Sequence, residues 1–296
     1  MLKNLLRGLT LATLMTTAAN AQDSGFESPT ILILGDSQIS FGSGPVFLEF
    51  FENIKSHCPP SAKQAKNLEA LADMKVAVIG VRSTSLPSWT ATMGRAKGAI
   101  CDVDPKWQVN AGTYGFINTT GNKYKQIGRG ENYQFCAKNK SAFEVMFRSD
   151  YYDPKLILLS FLGNSAKTWA NDYKKALRDV RKMNAQLPAG TPCIFMTTAP
   201  SYSKKITDLR IKAQANLERA FVESGSQCSF IKGATPETVA ANQGNRHYFR
   251  VNKSGKVKDP FHPNTKAAEN FFMIAMDDIC TAVYDQIDAA MPALGK

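Results

Sequence analysis

The sequence predicts an α/β fold, arranged as a three-layer α/β/α sandwich around a mostly parallel central sheet. Two observations support this prediction. Short runs of apolar residues, each of strand length, end at glycine or polar residues, and runs that are apolar throughout are typical of strands buried on both faces. Longer amphipathic stretches of helical length lie between them, and this alternation indicates helices that cover both faces of a parallel sheet.

The first strand is expected at residues 30–34, followed by a turn at Gly35-Asp36-Ser37 and a helix at 45–57. In this turn Asp36 is expected to start the helix rather than act as a second catalytic acid. The other expected strands lie at 74–79, 155–161, 193–198 and, with a weaker pattern, 228–231. The other expected helices lie at 168–186, 207–224 and 265–291, the last as one long helix or a helix pair.

Three residues with useful chemistry, Ser37, Gly80 and Asn164, each follow a predicted strand. Sheets of this class place their sites beyond the carboxyl ends of the strands. We therefore expect these residues to meet at one edge of the sheet.

Residues 95–150 show no clear periodicity and combine glycine-rich and asparagine-rich turns with interleaved aromatic residues. A stretch this long inside a compact fold is usually functional or carries strands of its own. We interpret it as an insertion within a single domain that spans 22–296. It is expected to form either a substrate-binding wall or a structural flap.

Residues 1–21 have the pattern of a cleavable secretory signal: Lys3 and Arg7, then an apolar stretch, then small residues at Ala19 and Ala21. The apolar stretch is shorter than the roughly 20 residues that span a bilayer, and no later segment approaches that length. We expect an exported protein, periplasmic or secreted, without stable membrane insertion; an uncleaved N-terminal anchor is the alternative. Removal of the signal lowers the formal net charge from +11 to +9.

This positive charge favours anionic neighbours such as cell-wall polymer, acidic polysaccharide or a lipid surface. The basic residues are scattered and form no recognisable nucleic-acid module, so no nucleic-acid partner is expected. The oligomeric state is left open by the sequence.

The chain contains six cysteines, an even number that suggests up to three disulfides in an exported protein. None has the spacing of a metal or redox motif, and neither a metal nor another cofactor is expected. The layout of the elements suggests three pairs, which are Cys58–Cys280, Cys101–Cys136 and Cys193–Cys228.

A serine nucleophile needs a histidine base and an orienting acid, and the chain has only three histidines. His57 follows the first helix and His247 lies in a polar loop, whereas His262 lies three residues after Asp259. Across a turn, this spacing allows the carboxylate to reach the imidazole and fix its tautomer. Ser37, Asp259 and His262 are therefore the candidate catalytic residues.

With Gly35-Asp36-Ser37 after the first strand, Gly163-Asn164 after a middle strand and Asp259 and His262 before the closing helix, the chain resembles the SGNH (GDSL-like) hydrolase superfamily. The resemblance covers nearly all of residues 22–296. It implies a flavodoxin-like fold and esterase activity through the triad named above.

The resemblance also implies an oxyanion hole. Its donors would be the Ser37 backbone N–H, the Asn164 side chain and a backbone N–H of the second block, for which we take Gly80, with Arg82 or Ser83 as alternatives. Three features depart from the family pattern. Gln38 stands where the family has leucine, Gly163 directly precedes Asn164 where the family has one residue between glycine and asparagine, and Ser165 follows Asn164 where the family has aspartate.

The expected reaction is hydrolysis of a small acyl ester, most plausibly O-acetyl, on a carbohydrate or cell-wall polymer. The candidate substrate contacts are Arg82, Trp89, Tyr248 and Arg250, and packing against the sheet is the alternative role for Trp89. Three other enzymatic functions stay open: a lipid-directed esterase or lysophospholipase, a thioesterase, and an acetyltransferase. A carbohydrate-binding protein without turnover is the alternative from another class.

Overall fold

The computed structural model describes residues 28–69, 75–92, 113–117, 125–127, 139–148 and 152–294. The predicted signal peptide and the Cys101–Cys136 pair lie outside these residues, as does most of the predicted insertion. No helix of the described segments is long and apolar enough to cross a membrane.

Nine strands occur in the described part of the chain. They are β1 Ile31–Gly35, β2 Val76–Val81, β3 Thr113–Ile117, β4 Lys125–Ile127, β5 Leu156–Ser160, β6 Cys193–Met196, β7 Cys228–Ile231, β8 Phe249–Val251 and β9 Val257–Pro263.

The helices of the same segments are α1 Gly44–Glu52, α2 Ile54–His57, α3 Ala62–Glu69, α4 Leu86–Thr90, α5 Ala142–Arg148, α6 Ala166–Asn171, α7 Tyr173–Asn184, α8 Lys204–Glu223, α9 Pro236–Asn242, α10 Thr265–Ile274 and α11 Met276–Leu294. Shorter turns are a π-helical turn at Ile39–Ser43 and 3₁₀ turns at Gly163–Ser165 and Arg246–Tyr248.

The main sheet has the strand order β4-β3-β2-β1-β5-β6-β7. Strands β2, β1, β5, β6 and β7 run parallel to one another, and β3 and β4 add an antiparallel edge. The predicted α/β class with a mostly parallel sheet is therefore confirmed. Strands β3 and β4 lie within the region that was interpreted as an insertion.

Side chains of β1 alternate between two hydrophobic cores, because successive residues of a strand point to opposite faces. Leu32 and Leu34 pack on one face with residues of α4 to α8. Ile31 and Ile33 pack on the other face with residues of α1, α10 and α11. Helices thus cover both faces of the sheet, which gives the three layers expected from the sequence.

The stretch predicted as one helix at 168–186 is two helices, α6 and α7, separated at Asp172. Asp172 has an extended backbone (φ −143°, ψ 94°), and its side chain accepts a hydrogen bond from the Lys175 N–H. An aspartate in this role satisfies a backbone donor at the start of a helix. The prediction of a single helix was wrong because it did not use this cap.

Two of the three suggested disulfides are confirmed. Cys58–Cys280 joins the end of α2 to α11, and Cys193–Cys228 joins β6 to β7, where the two residues are opposite each other in the register. Both bridges connect elements that also pack together.

Candidate active site

The turn after β1 carries Ser37 at the carboxyl edge of the sheet, between the neighbouring strands β2 and β5. The Asp36 carboxylate is fully buried and accepts the Gln38 backbone N–H at 2.8 Å and the Leu162 N–H at 3.5 Å. Burial raises the pKa of Asp36, although these N–H groups and the charge of Arg210 act in the opposite direction. Asp36 therefore organises the turn and ties it to the segment after β5.

Ser37, His262 and Asp259 form one hydrogen-bonded chain. Ser37 Oγ lies 2.9 Å from His262 Nε2, and His262 Nδ1 lies 2.9 Å and 3.1 Å from the two carboxylate oxygens of Asp259. The tautomer with its proton on Nδ1 satisfies both contacts, because Nδ1 then donates to Asp259 while Nε2 accepts from the serine hydroxyl. This is the arrangement that activates a serine nucleophile.

The Asp259 carboxylate is held by its own turn as well. Burial on its own raises the pKa of Asp259, but the hydrogen bond and charge of His262 and the backbone N–H groups of Phe261 and His262 outweigh it and lower the pKa below its ordinary value. The two N–H groups lie 3.0 Å and 3.2 Å from Asp259 Oδ1. Asp259 is therefore ionised at neutral pH.

Asn164 lies in the 3₁₀ turn that follows β5. Its Nδ2 donates to the Thr84 carbonyl at 2.7 Å, in the segment that follows β2. A side-chain amide has two N–H bonds, and the bond to Thr84 uses one of them.

Gly80 lies inside β2 and not after it, since the strand continues through Val81. Its backbone pairs with Gly35 on one side and Tyr114 on the other. Ladder pairing normally uses the N–H groups of a central strand. Arg82 and Ser83, the two alternative donors, follow the end of the strand.

The missing side chain of Gly80 has a packing reason. A Cβ at this position would lie 2.6 Å from Ile39 Cγ2 and 2.9 Å from the Ser40 nitrogen, which are closer than real contacts allow. Glycine at position 80 therefore lets the π-helical turn after Ser37 lie directly on β2.

The four predicted substrate contacts have different environments. Trp89 is completely buried, and its indole N–H donates to Thr84 Oγ1 at 3.1 Å, which favours the packing alternative. Arg82 is half-buried, and its guanidinium lies over the ring of Phe41, which is beside His262. Tyr248 is half-buried, and its backbone carbonyl accepts a hydrogen bond from the backbone N–H of Asn264. Asn264 lies two residues after His262. Arg250 is exposed and pairs in register with Asp259 across β8 and β9.

Two phenylalanines beside the histidine were not singled out from the sequence. Phe41 stacks on the imidazole of His262, with ring centroids 4.3 Å apart, and the guanidinium of Arg82 lies 3.8 Å from the centroid of the Phe41 ring. Phe261 lies beside His262 and is 50% exposed. Phe41 lies shortly after Ser37 in the chain, and Phe261 directly precedes His262. This nearness in sequence is the only signal that could have pointed to either residue.

Arg210 was also missed. It is completely buried, on the face of α8 that also buries Thr207, Ala213 and Leu217. Its spacing from these residues matches one face of a helix. A charged residue at a buried position of that pattern indicates that a hydrogen-bond or charge partner lies nearby.

The fold and the site together define an α/β sandwich that holds a serine, a histidine and an aspartate in one hydrogen-bonded chain beyond the carboxyl ends of its parallel strands. No family model matches the sequence, and no curated protein matches it.

Solved structures that resemble the chain include a protein from Slackia heliotrinireducens that is assigned as an SGNH hydrolase, with 11% identity and a TM-score of 0.42 over 86% of this chain and 100% of that one. A DUF4886 family protein from Bacteroides uniformis has 13% identity and a TM-score of 0.42, over 90% and 95% of the two chains. A family two carbohydrate esterase from Clostridium thermocellum, in complex with cellohexaose, has 12% identity and a TM-score of 0.40, over 87% and 66%.

At such low identities and TM-scores the likeness says nothing about activity, and we derive the function from the residues of the site.

Proposed function

We propose that this chain is a serine esterase of the SGNH type, with Ser37 as nucleophile, His262 as general base and acid, and Asp259 as the residue that orients His262. The hydrogen-bonded chain from Ser37 Oγ through His262 to Asp259 is the observation that carries this proposal. Ser37 is 7% exposed, and His262 and Asp259 are partly exposed, so the proposed site lies at the protein surface.

The reaction follows from this geometry. Ser37 Oγ attacks the ester carbonyl carbon while its proton passes to His262 Nε2, and the carbonyl oxygen becomes an oxyanion. When the tetrahedral intermediate collapses, the bond to the alcohol oxygen breaks, and His262 returns its proton to that alcohol. Water then attacks the acyl-serine with His262 again as base, which releases the carboxylic acid and restores Ser37.

The Asn164 amide and the Ser37 backbone N–H would stabilise the oxyanion, together with one N–H of the second block. Because Gly80 lies within a strand that is paired on both sides, we now favour Arg82 or Ser83 as this third donor. Each preorganised donor contributes about 3–4 kcal/mol to stabilisation of the transition state.

We propose an acetylated carbohydrate or cell-wall polymer as substrate. Phe41 and Phe261 lie next to His262 and are 38% and 50% exposed. They provide apolar surface against which a sugar ring can pack, since aromatic rings combine large area with a defined orientation. The net positive charge favours anionic polymers. An extracytoplasmic location is part of this proposal, because disulfides persist in oxidising compartments and two are formed here.

A lipid-directed esterase is the second candidate, because the same two phenylalanines could contact an apolar acyl chain. A series of nitrophenyl esters separates the two candidates. A carbohydrate deacetylase is expected to prefer acetyl and butyryl esters, whereas a strong preference for long acyl chains would favour the lipid-directed enzyme.

The direct test is release of acetate from defined O-acetylated glycans and peptidoglycan. Wild type and Ser37→Ala are compared, and circular dichroism establishes that both are folded. We expect acetate release from at least one glycan by the wild type and none above background by the variant. Equal release by both proteins would contradict the proposal, and binding of polymer without Ser37-dependent release would favour a non-catalytic binding protein.

A further inference from the structure

The backbone carbonyl of Phe261 lies between Asp259 and His262 in the chain and accepts hydrogen bonds from two buried side chains. Gln38 Nε2 donates to it at 3.1 Å, and Arg210 Nη2 donates to it at 3.1 Å. Gln38 is 7% exposed and Arg210 is 2% exposed. In the protein interior such bonds are well protected from water, and the loss of one partner leaves the other group unsatisfied.

The first of these donors belongs to the nucleophile turn. Gln38 directly follows Ser37, and its own backbone N–H is held by Asp36 at 2.8 Å. The hydrogen bond from Gln38 to Phe261 therefore links the segment of the nucleophile directly to the loop of the base. A leucine, which the family motif has at this position, has no donor for that carbonyl.

The second donor brings a buried positive charge between the two segments. Arg210 Nη1 also donates to the Ala199 carbonyl at 2.8 Å, after β6. Burial lowers the pKa of Arg210 to about 10, while the charges of Asp36 and Asp259 oppose that change. Arg210 therefore stays protonated at neutral pH, and it attracts the carboxylate that precedes Ser37 as well as the carboxylate of the proposed triad.

We propose that Gln38 and Arg210 are positioning residues that hold the Asp259–His262 loop at reaction distance from Ser37 by binding the Phe261 carbonyl. This inference rests on the proposed function, because it assigns the two residues a role in that reaction. Both side chains are buried, so we expect them to act on the loop and not on the substrate. A displacement of about 1 Å in a catalytic group can lower a rate by about 100-fold, so two hydrogen bonds to one carbonyl suffice for a large effect on turnover.

The decisive variant is Gln38→Leu, which introduces an apolar side chain of similar size and removes the donor. Gln186→Leu is the matched control, because Gln186 is also buried and donates to a backbone carbonyl, that of Thr90, at 3.0 Å. We expect Gln38→Leu to lower kcat on nitrophenyl acetate by about 10- to 100-fold with little change in KM. Gln186→Leu is expected to lower the Tm about as much as Gln38→Leu does, but to keep kcat within about twofold of wild type.

Two further measurements separate positioning from loss of fold. Arg210→Lys keeps the charge and is expected to retain more activity than Arg210→Met. If Arg210→Met does not fold, the comparison of Gln38→Leu with Gln186→Leu decides.

In a His262→Ala background Gln38→Leu should cause no further loss of activity, because the effects of residues that act through one group are not additive.

A measurement that needs no turnover tests this inference separately from the proposed function. The chain has only three histidines, so the ¹⁵N spectrum of the imidazoles can be assigned. We expect Gln38→Leu to change the tautomer populations of His262 alone, and this holds even if no ester tried is a substrate. Unchanged His262 resonances, or a kcat within twofold of wild type, would overturn the inference, whereas absence of hydrolysis by the wild type would count against the proposed function only.

Discussion

In the proposed mechanism, Asn164 is an oxyanion donor that is positioned before any substrate binds. Its amide is anchored to the Thr84 carbonyl at 2.7 Å, and this contact fixes the direction of its second N–H. A donor that is fixed in advance requires no reorganisation when the oxyanion forms.

We expect Asn164→Ala to lower kcat by about 100- to 1,000-fold with KM nearly unchanged, because the lost hydrogen bond forms only in the transition state. Steady-state kinetics with nitrophenyl acetate measures this. A variant that raises KM and keeps kcat would mean that Asn164 binds the ground state instead.

Asp259 gives a prediction for the pH dependence of stability. Its pKa in the folded state is lowered below 3.8, so between the two values the unfolded state binds more protons and stability rises with pH. The stabilising contribution of Asp259 is complete above about pH 4 and is lost as the pH falls through the folded pKa. Urea unfolding of wild type and Asp259→Asn from pH 3 to 7 should show a difference in stability that is constant near neutrality and shrinks in acid. A difference that grows toward pH 3 would contradict this sign.

Single residues were predictable from the sequence where local order carried the information. The spacing of Asp259 and His262 and the position of Ser37 after an apolar run were enough to nominate them. The hydrogen bond between Gln38 and the Phe261 carbonyl was not predictable, because the two residues are 223 positions apart in the chain and only the fold brings them together.

Among the elements, β1 and β2 determine where Ser37 lies. Both strands were predicted because they are apolar throughout, as expected for strands covered on both faces. The ribbon of β8 and β9 was not predicted, since most of its side chains are exposed or half-buried and it lacks an alternating apolar pattern. Yet β9 carries Asp259 and His262.

The contact between β2 and the turn after Ser37 is tested by Gly80→Ala. The new Cβ would lie 2.6 Å from Ile39 and 2.9 Å from a backbone nitrogen, so the turn must move, and overpacking of this kind costs about 1–3 kcal/mol. Gly163→Ala is the control, because its Cβ would have an ordinary contact of 3.4 Å with Asp36. Chemical denaturation should rank Gly80→Ala well below Gly163→Ala in stability; equal stabilities would refute the close approach.

At the scale of the whole molecule, two hydrophobic cores lie on opposite faces of one sheet, and the disulfides join elements distant in sequence. The three-layer class followed from the alternation of apolar strands and amphipathic helices. The antiparallel strands β3 and β4 did not, because residues 95–150 show neither helical nor strand periodicity.

The two disulfides should differ in what they contribute to stability. Cys58–Cys280 spans 222 residues and Cys193–Cys228 spans 35, and the longer loop restricts the unfolded chain more. Loop-closure entropy predicts that replacing the first pair with alanine costs about 1.6 kcal/mol more than replacing the second. Urea unfolding of the two double variants measures this, and a larger loss for Cys193 and Cys228 would show that local packing outweighs chain entropy.

Activation of Ser37 by His262 can be measured by covalent labelling with a fluorophosphonate, followed by peptide mass mapping. We predict one label per chain, on Ser37, and loss of this labelling in His262→Ala while that variant stays folded. Labelling at another serine, or equal labelling of Ser37 in His262→Ala, would contradict the account.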